Sequence, residues 1–357
     1  MVRSTLFILC FLVSPGICCA DQASDTADLN VLFIAVDDLR CELGCYGNTQ
    51  VLTPEIDRLA ASGTLFQHAY CQQAVCNPSR ASMLTGLSPD ALGVWDLPTH
   101  FRDRHPDLVT LPQQFKKNGY FSQGIGKILH NYRQEEHRGD APSWSVPATL
   151  HYNTHNNDKP LVEGEIPDNF GTLSKTECRD VTDEAYFDGR VANQAIAALR
   201  RLRDQRFFLA VGFWKPHLPF NAPKKYWDLY NREDIDLPRH REPPENCPSL
   251  ALTNDRMEGK RKLTDEEVRE ARHGYLAAIS YLDAQVGKVI AELDRLDLRK
   301  KTIIVFWSDH GLHVGERGLW SKRTNFELDT RIPLIISSPM HSPNKKAAGL
   351  VELIDVY

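Results

Sequence analysis

No stretch of this chain is long and apolar enough to cross a bilayer, which takes about 20 residues. The one strongly apolar run, Leu6 to Val13, stops at Pro15-Gly16. A surplus of positive charge is lacking too: 42 Lys and Arg face 47 Asp and Glu, a net charge of −5. General binding to nucleic acid needs a basic excess, so none is expected. There are no internal repeats and no heptads, which excludes solenoids and coiled coils. Cysteine is sparse, nine in all, and Cys10, Cys18 and Cys19 fall within the first twenty residues. No second pair with metal-site spacing accompanies Cys41 and Cys45, so a zinc centre is not expected there. No Asn-x-Ser/Thr sequon with a permitted middle residue occurs.

What is present begins with a short export signal. Arg3 supplies a positive start, the apolar run follows, and Cys18-Cys19-Ala20 offers small residues for cleavage. Residues 1–20 therefore read as a signal peptide and 21–28 as a polar linker, which predicts a secreted or periplasmic protein with no integral membrane segment. Six cysteines then remain, and an exported chain can pair them, although the pairing cannot be read from sequence. The 357 residues, 42% hydrophobic and 25% charged, suit a soluble globular protein whose residues 29–357 form one large α/β domain.

The order of elements supports that class. Asn30 to Val36 is a continuous apolar run ending in Asp37-Asp38, the pattern of a buried parallel strand. Further strands are expected at 120–124, 207–213, 302–307 and 332–336. Helices are expected at 54–61, from Pro78 onward with residue 76 just ahead of the first turn, at 110–118 and at 188–204. The clearest helix is 264–296, where Val268, Ala271, Tyr275, Ile279, Leu282, Val286, Val289 and Leu293 recur at steps of three and four. Thr264 and Glu267 make a capping box at its start. Residues 131–187 read as a polar insertion, 221–263 as loop, and 350–357 as the start of a helix. Strands alternating with helices predict a mostly parallel sheet flanked by helices on both faces.

Three carboxylates sit at strand ends: Asp37 and Asp38 after the first, Asp309 after the strand 302–307. Ligands collect at such ends in open α/β sheets. Converging carboxylates repel by about 4 kcal/mol per pair at 4 Å, so they need a cation or a retained proton. Oxygen donors favour calcium or magnesium over zinc. Cation–imidazole pairs follow other strands, as Lys127 with His130 and Lys215 with His217, and Lys322 lies beyond Asp309. Singly, such residues are commonly surface lysines or structural histidines, and a buried cysteine such as Cys76 is commonly inert packing.

Taken together, these segments resemble the type I sulfatases. Cys76-Asn77-Pro78-Ser79-Arg80, followed by Ala81-Ser82-Met83-Leu84-Thr85-Gly86, has the form of that family's signature. Asn30 to Arg40 and Trp307 to Gly311 look like its two metal strands. Gly126 to His130, Lys215 to Phe220 and Trp320 to Phe326 look like its pocket segments, and most resemble the iduronate-2-sulfatases and their bacterial relatives. The resemblance implies an alkaline-phosphatase-like α/β fold and one Ca²⁺ held by Asp37, Asp38, residue 76, Asp309 and His310. His310 is shared with the iduronate-2-sulfatase branch, where many sulfatases have asparagine. The resemblance also implies that a formylglycine-generating enzyme oxidises Cys76 to formylglycine, whose hydrate attacks a sulfate ester. Arg80 would hold that hydrate, and Lys127 and Lys322 would neutralise the sulfate. His130 would help expel the product sulfate, and His217 would protonate the leaving alcohol or bind sulfate. The implied substrate is a sulfated sugar in a uronic-acid-containing polysaccharide or glycosaminoglycan. Two rivals stay open: a phosphodiester or phosphonate hydrolase of the same superfamily, and a non-catalytic binder of sulfated glycans. Family members usually continue past the equivalent of Tyr357 into a smaller C-terminal subdomain, so the sequence reads as truncated and a weaker fold is expected.

Overall fold

The computed structural model describes residues 29–130, 136–151, 176–252 and 263–357. The expected signal peptide and most of the expected insertion lie outside the described residues. Seven strands build the main sheet: β1 (Asn30–Asp37), β2 (Thr64–Tyr70), β3 (Phe121–Gly126), β4 (Phe207–Pro216), β5 (Thr302–Ser308), β6 (Arg331–Ser337) and β7 (Lys345–Glu352). Their order across the sheet is β7-β2-β6-β5-β1-β4-β3. Every neighbouring pair is parallel except those made by β6, which runs antiparallel to both β5 and β2. The helices that matter here are α1 (Pro54–Ala61), α2 (Cys76–Thr85), α3 (Leu111–Lys117), α4 (Phe187–Leu202) and α5 (Asp265–Arg295).

Strand β1 explains the architecture. All eight of its residues are buried. Side chains alternate along a strand, so Leu32, Ile34 and Val36 enter one core while Val31, Phe33 and Ala35 enter the other. The first core is filled by α1, α4 and α5, the second by α2 and its neighbours. A central strand covered on both faces has no polar alternation, which is why it reads as a plain apolar run. The same geometry carries Asp37 and Asp38 off its carboxyl end into the interior between the two layers.

Three expectations need correction. Residue 76 is the first residue of α2, not ahead of it. Pro78 fits there because the first helical N–H groups have no intrahelical partner anyway. Residues 345–352 form edge strand β7, and only Leu353–Val356 turns as a 3-10 helix. Strand β2 was not anticipated, since its mixed sequence shows no clean alternation and only two of its seven residues are buried. The long helix, in contrast, runs Asp265–Arg295, with Thr264 and Glu267 closing the expected capping box.

Candidate active site

The carboxyl ends of β1, β3, β4 and β5 meet the first turn of α2. Cys76 Sγ lies at their junction, 3.6 Å from Asp37 Oδ1, 3.3 Å from His310 Nε2 and 3.2 Å from Lys322 Nζ. His130 and His217 both reach the same sulfur. The ten residues given catalytic or metal-binding roles in the sequence converge here, and each is less than one-tenth exposed.

Each carboxylate has its own cation. Lys127 Nζ bonds Asp37 Oδ2, Lys322 Nζ bonds Asp38 Oδ1, and Arg80 Nε bonds Asp309 Oδ2 at 2.7 Å. Arg80 is fully buried and spends most of its fork on the scaffold. It donates to the carbonyls of Lys127 (2.5 Å), Ile128 (3.1 Å) and Val36 (3.0 Å). It thereby locks α2 to the ends of β1 and β3, the geometry a bidentate guanidinium suits.

Backbone conformation completes the positioning. Asp38 has φ 63°, and Ser321 and Arg323 on either side of Lys322 have φ 85° and 86°. Non-glycine residues in the left-handed region cost about 1–3 kcal/mol each and cluster where a site dictates geometry. Lys127 is seated by two glycines. Gly126 has φ 79°, and a Cβ there would lie 2.0 Å from the Gly212 carbonyl. A Cβ on Gly212 would lie 2.1 Å from the Lys127 carbonyl. Gly212→Ala is therefore expected to destabilise the fold by about 1–3 kcal/mol, as overpacking does, with the Lys127 backbone displaced. A urea titration checks the first effect, and wild-type stability would refute it.

Burial and charge set the protonation states. Burial alone would raise the Cys76 thiol, but Lys127, Lys322 and His310 outweigh it and hold the group well below its ordinary value. The adjacent carboxylates split. Burial and the Cys76 charge push Asp37 up, yet Lys127, with Lys322, brings it below the usual range. Burial drives Asp38 up to about 7 against the pull of Lys322. Asp309 is raised, again chiefly by burial. Burial lowers His130 to about 4 and puts His217 well below its ordinary value, so both imidazoles are neutral at physiological pH. His310 goes the other way. Burial disfavours its charge, but Asp309 prevails and raises it to about 9.

A metal ion fits this donor set. Ligand atoms of Asp37, Cys76, Asp309 and His310 lie within 4.8 Å of one another, as do those of Asp37, Asp38, Cys76 and His217. His310 Nδ1 bonds the Gly311 carbonyl at 3.0 Å, which aims Nε2 at the cluster, where a metal would take the place of its proton. The raised proton affinities of Asp38, Asp309 and His310 mark a place short of positive charge. Mostly oxygen donors point to a hard divalent cation.

Several supporting residues escaped the sequence reading. Tyr275 was assigned to the core stripe of α5, and it is buried, but its hydroxyl donates to the Asp38 carbonyl at 2.8 Å. Asp188, fully buried, accepts from the backbone N–H groups of Trp214 and Lys215 at 2.8 Å each and fixes the end of β4 ahead of His217. Lys215 turns away from the cluster and donates to the carbonyls of His217 and Pro219. None of these roles has a local sequence signal, because each partner is supplied by a distant segment or by the bend itself.

Comparisons with known proteins agree with the geometry. Residues 29–357 match the family profile described as Sulfatase. The chain is 39% identical to the human iduronate 2-sulfatase over 95% of its own length and 66% of the relative's. The mouse iduronate 2-sulfatase is also 39% identical, over 92% of this chain and 63% of the relative. The chain thus spans just under two thirds of those relatives. Among solved structures, the phosphonate monoester hydrolase of Agrobacterium radiobacter superposes with TM-score 0.74 at 19% identity, covering 92% of this chain and 72% of that one. That likeness establishes the alkaline-phosphatase-like fold, and the match to the family across the described domain establishes the rest: this chain belongs to the sulfatase family.

Proposed function

We propose that this protein hydrolyses a sulfate monoester on a uronic-acid-containing polysaccharide or glycosaminoglycan, using residue 76 as nucleophile. The observation that carries the reading is the ring around Cys76. Three carboxylates, two lysines and three histidines enclose one small side chain at the start of a buried helix. Here Sγ stands in for the oxygens of a hydrated formylglycine. That hydrate supplies one hydroxyl to attack sulfur and a second whose deprotonation releases sulfate. The cation is read as Ca²⁺, the ion the family resemblance implies among those that suit oxygen donors, and Asp37, Asp38, residue 76, Asp309 and His310 would hold it. Bound there, it would polarise oxygen and neutralise charge.

The chain's own residues account for the remaining work. Three carboxylates against Arg80, Lys127 and Lys322 balance. A divalent cation adds two positive charges, and a sulfate ester with one ionised nucleophile removes them. Lys127 and Lys322 face the sulfate oxygens, where negative charge grows as the S–O bond breaks. His217 donates Nδ1–H to the Leu218 carbonyl at 2.7 Å, leaving Nε2 toward the cluster. That nitrogen is unprotonated in the neutral ring, so it first takes the proton released by the attacking hydroxyl of residue 76 and then passes it to the departing alcohol. Neutral His130, within reach of residue 76, accepts the proton that lets sulfate leave. Arg80 fixes Asp309 and α2 so that residue 76 is presented correctly.

Domain extent and processing belong to the same reading: a signal peptide at 1–20, a linker at 21–28 and a catalytic domain at 29–357. Secretion or periplasmic export accords with that signal. No described helix is long and apolar enough to cross a membrane. Activation requires a formylglycine-generating enzyme as partner.

The test pairs mass and turnover. Protein made with a formylglycine-generating enzyme should yield a residue-76 peptide with oxygen in place of sulfur and two hydrogens fewer. It should cleave a sulfate ester faster than the phosphate ester of the same alcohol by at least about tenfold, because a phosphate dianion overfills a charge-balanced site. A preference for phosphodiester or phosphonate esters would move the protein to the rival hydrolase reading. An intact thiol with glycan binding and no turnover would leave only a binder.

A further inference from the structure

We propose that the cavity beside residue 76 is a subsite for the sugar next to the sulfated one, with Trp95 as stacking platform and Arg323 as ligand for that sugar's carboxylate or sulfate. This rests on the reading of the protein as a polysaccharide sulfatase. The cavity measures about 430 Å³ and lies between the segment 73–75, the loop 95–98 and the segment 323–325. Val75 in its floor is the residue before the nucleophile, and Arg323 in its wall is the residue after Lys322. The cavity is thus lined by the immediate chain neighbours of residue 76 and of Lys322.

Both walls are held in place before any ligand arrives. Asn77, next to the nucleophile, donates Nδ2 to the carbonyls of Asp96 (2.8 Å) and Thr99 (2.6 Å). Gln73 Nε2 donates to the Trp95 carbonyl at 2.9 Å. The Trp95 indole N–H bonds Asp90 at 2.6 Å, and the Arg104 guanidinium sits 5.6 Å from its ring. On the other wall, Thr324 bonds Asp329 through both its backbone N–H (2.9 Å) and its hydroxyl (2.7 Å). The 95–98 loop is therefore pinned by the helix that carries residue 76 and the 323–325 segment by buried Asp329, which lowers the entropic cost of binding.

What those walls present is unusual. Trp95 is 50% exposed, a large apolar surface left to water in the wall of this cavity. Arg323 is exposed too, and its positive φ sets its side chain on the opposite side of the backbone from buried Lys322. One strained turn thus gives an inward cation for the scissile sulfate and an outward one for a neighbouring group. An indole face suits the C–H face of a pyranose, and a guanidinium fork suits a planar carboxylate or a sulfate. Exposed Asp96 on the same rim accepts sugar hydroxyls.

The experiment compares a tetrasaccharide bearing a terminal sulfated uronate with the matching sulfated monosaccharide. In Arg323→Gln and Trp95→Ala, the ratio of kcat/KM for tetrasaccharide over monosaccharide should fall about ten- to a hundredfold, the loss expected for one charge-assisted contact. The fall should sit in KM, and Trp95→Tyr should restore much of it. Binding is read separately by calorimetry in the Cys76→Ala background, with the tetrasaccharide before and after chemical desulfation of its terminal residue. Arg323→Gln should weaken both. A ratio unchanged within twofold, or both substrates slowed in step, overturns the subsite. If the unsubstituted protein cleaves no sulfate ester, the parent reading fails on its own, and the desulfated-ligand titration still decides whether the cavity binds the neighbouring sugar.

Discussion

Cys76→Ala is expected to abolish turnover, by about 10⁴- to 10⁶-fold in kcat, the range seen when an enzyme loses its nucleophile. The fold should survive. Cys76 is small, 2% exposed and the first residue of α2, and its backbone is secured by its neighbours. Ser79 donates to the Asp309 carbonyl at 2.5 Å, Asn77 holds the 96–99 loop, and Arg80 ties three carbonyls and Asp309. Removing the sulfur also removes a negative charge that raises Asp37, Asp38 and Asp309. Lys127, Lys322 and His310 hold that thiol in its charged form, so its loss is a small net cost and the variant should melt at or slightly below the temperature of the unmodified thiol form. Residual activity within a hundredfold of the formylglycine form would sink residue 76 as nucleophile. A variant that is unfolded by circular dichroism would mean that the side chain has a packing role the geometry does not suggest. The clean result is full loss of rate with an intact melt.

The strand ends that build the site were legible because burial on two faces and charge at the tip coincide in few places. Asn30 to Asp38 has both signals, and so does Thr302 to Asp309. The long helix was legible through its cap and its period. Strand β7 was not: residues 345–352 carry no alternation, and Leu350 stays 80% exposed. Its conformation is imposed by pairing with β2, a tertiary effect that local propensity does not record. The role of Arg80 was half legible. The family resemblance implied a hand on the nucleophile. The structure spends its fork chiefly on Asp309 and on the β1 and β3 ends, from 44 to 229 residues away in sequence. Tyr275 shows the same limit, since a periodic stripe identifies a buried face but not which hydroxyl on it reaches a carbonyl.

Stripping divalent metal is expected to lower stability, and by more as pH rises. In the metal-free site, Asp38 keeps its proton up to about 7 where an unfolded chain releases it near 3.8. His310 keeps its proton up to about 9 against an ordinary 6.5. In both cases the folded state binds more protons than the unfolded one between those values. Stability gained this way is fully present below the ordinary pKa and is lost as pH climbs through the folded one. The Asp38 loss ends just above pH 7 and the His310 loss runs on to about 9. In the formylglycine form, which lacks the depressed Cys76 thiol that would oppose the trend, the chelated protein should therefore melt progressively lower. A bound cation supplies the charge that the protons supplied and competes with them for the same atoms, so its affinity rises over that window. At a hundredfold excess over Kd it adds about 2.7 kcal/mol. The gap in Tm between calcium-saturated and chelated protein should therefore widen from pH 6 to 9, with turnover lost on chelation and restored by Ca²⁺. Melts that coincide with and without metal, or a chelated protein whose Tm holds steady or climbs over that range, would show that the three cations already satisfy the carboxylates and that no metal is needed there.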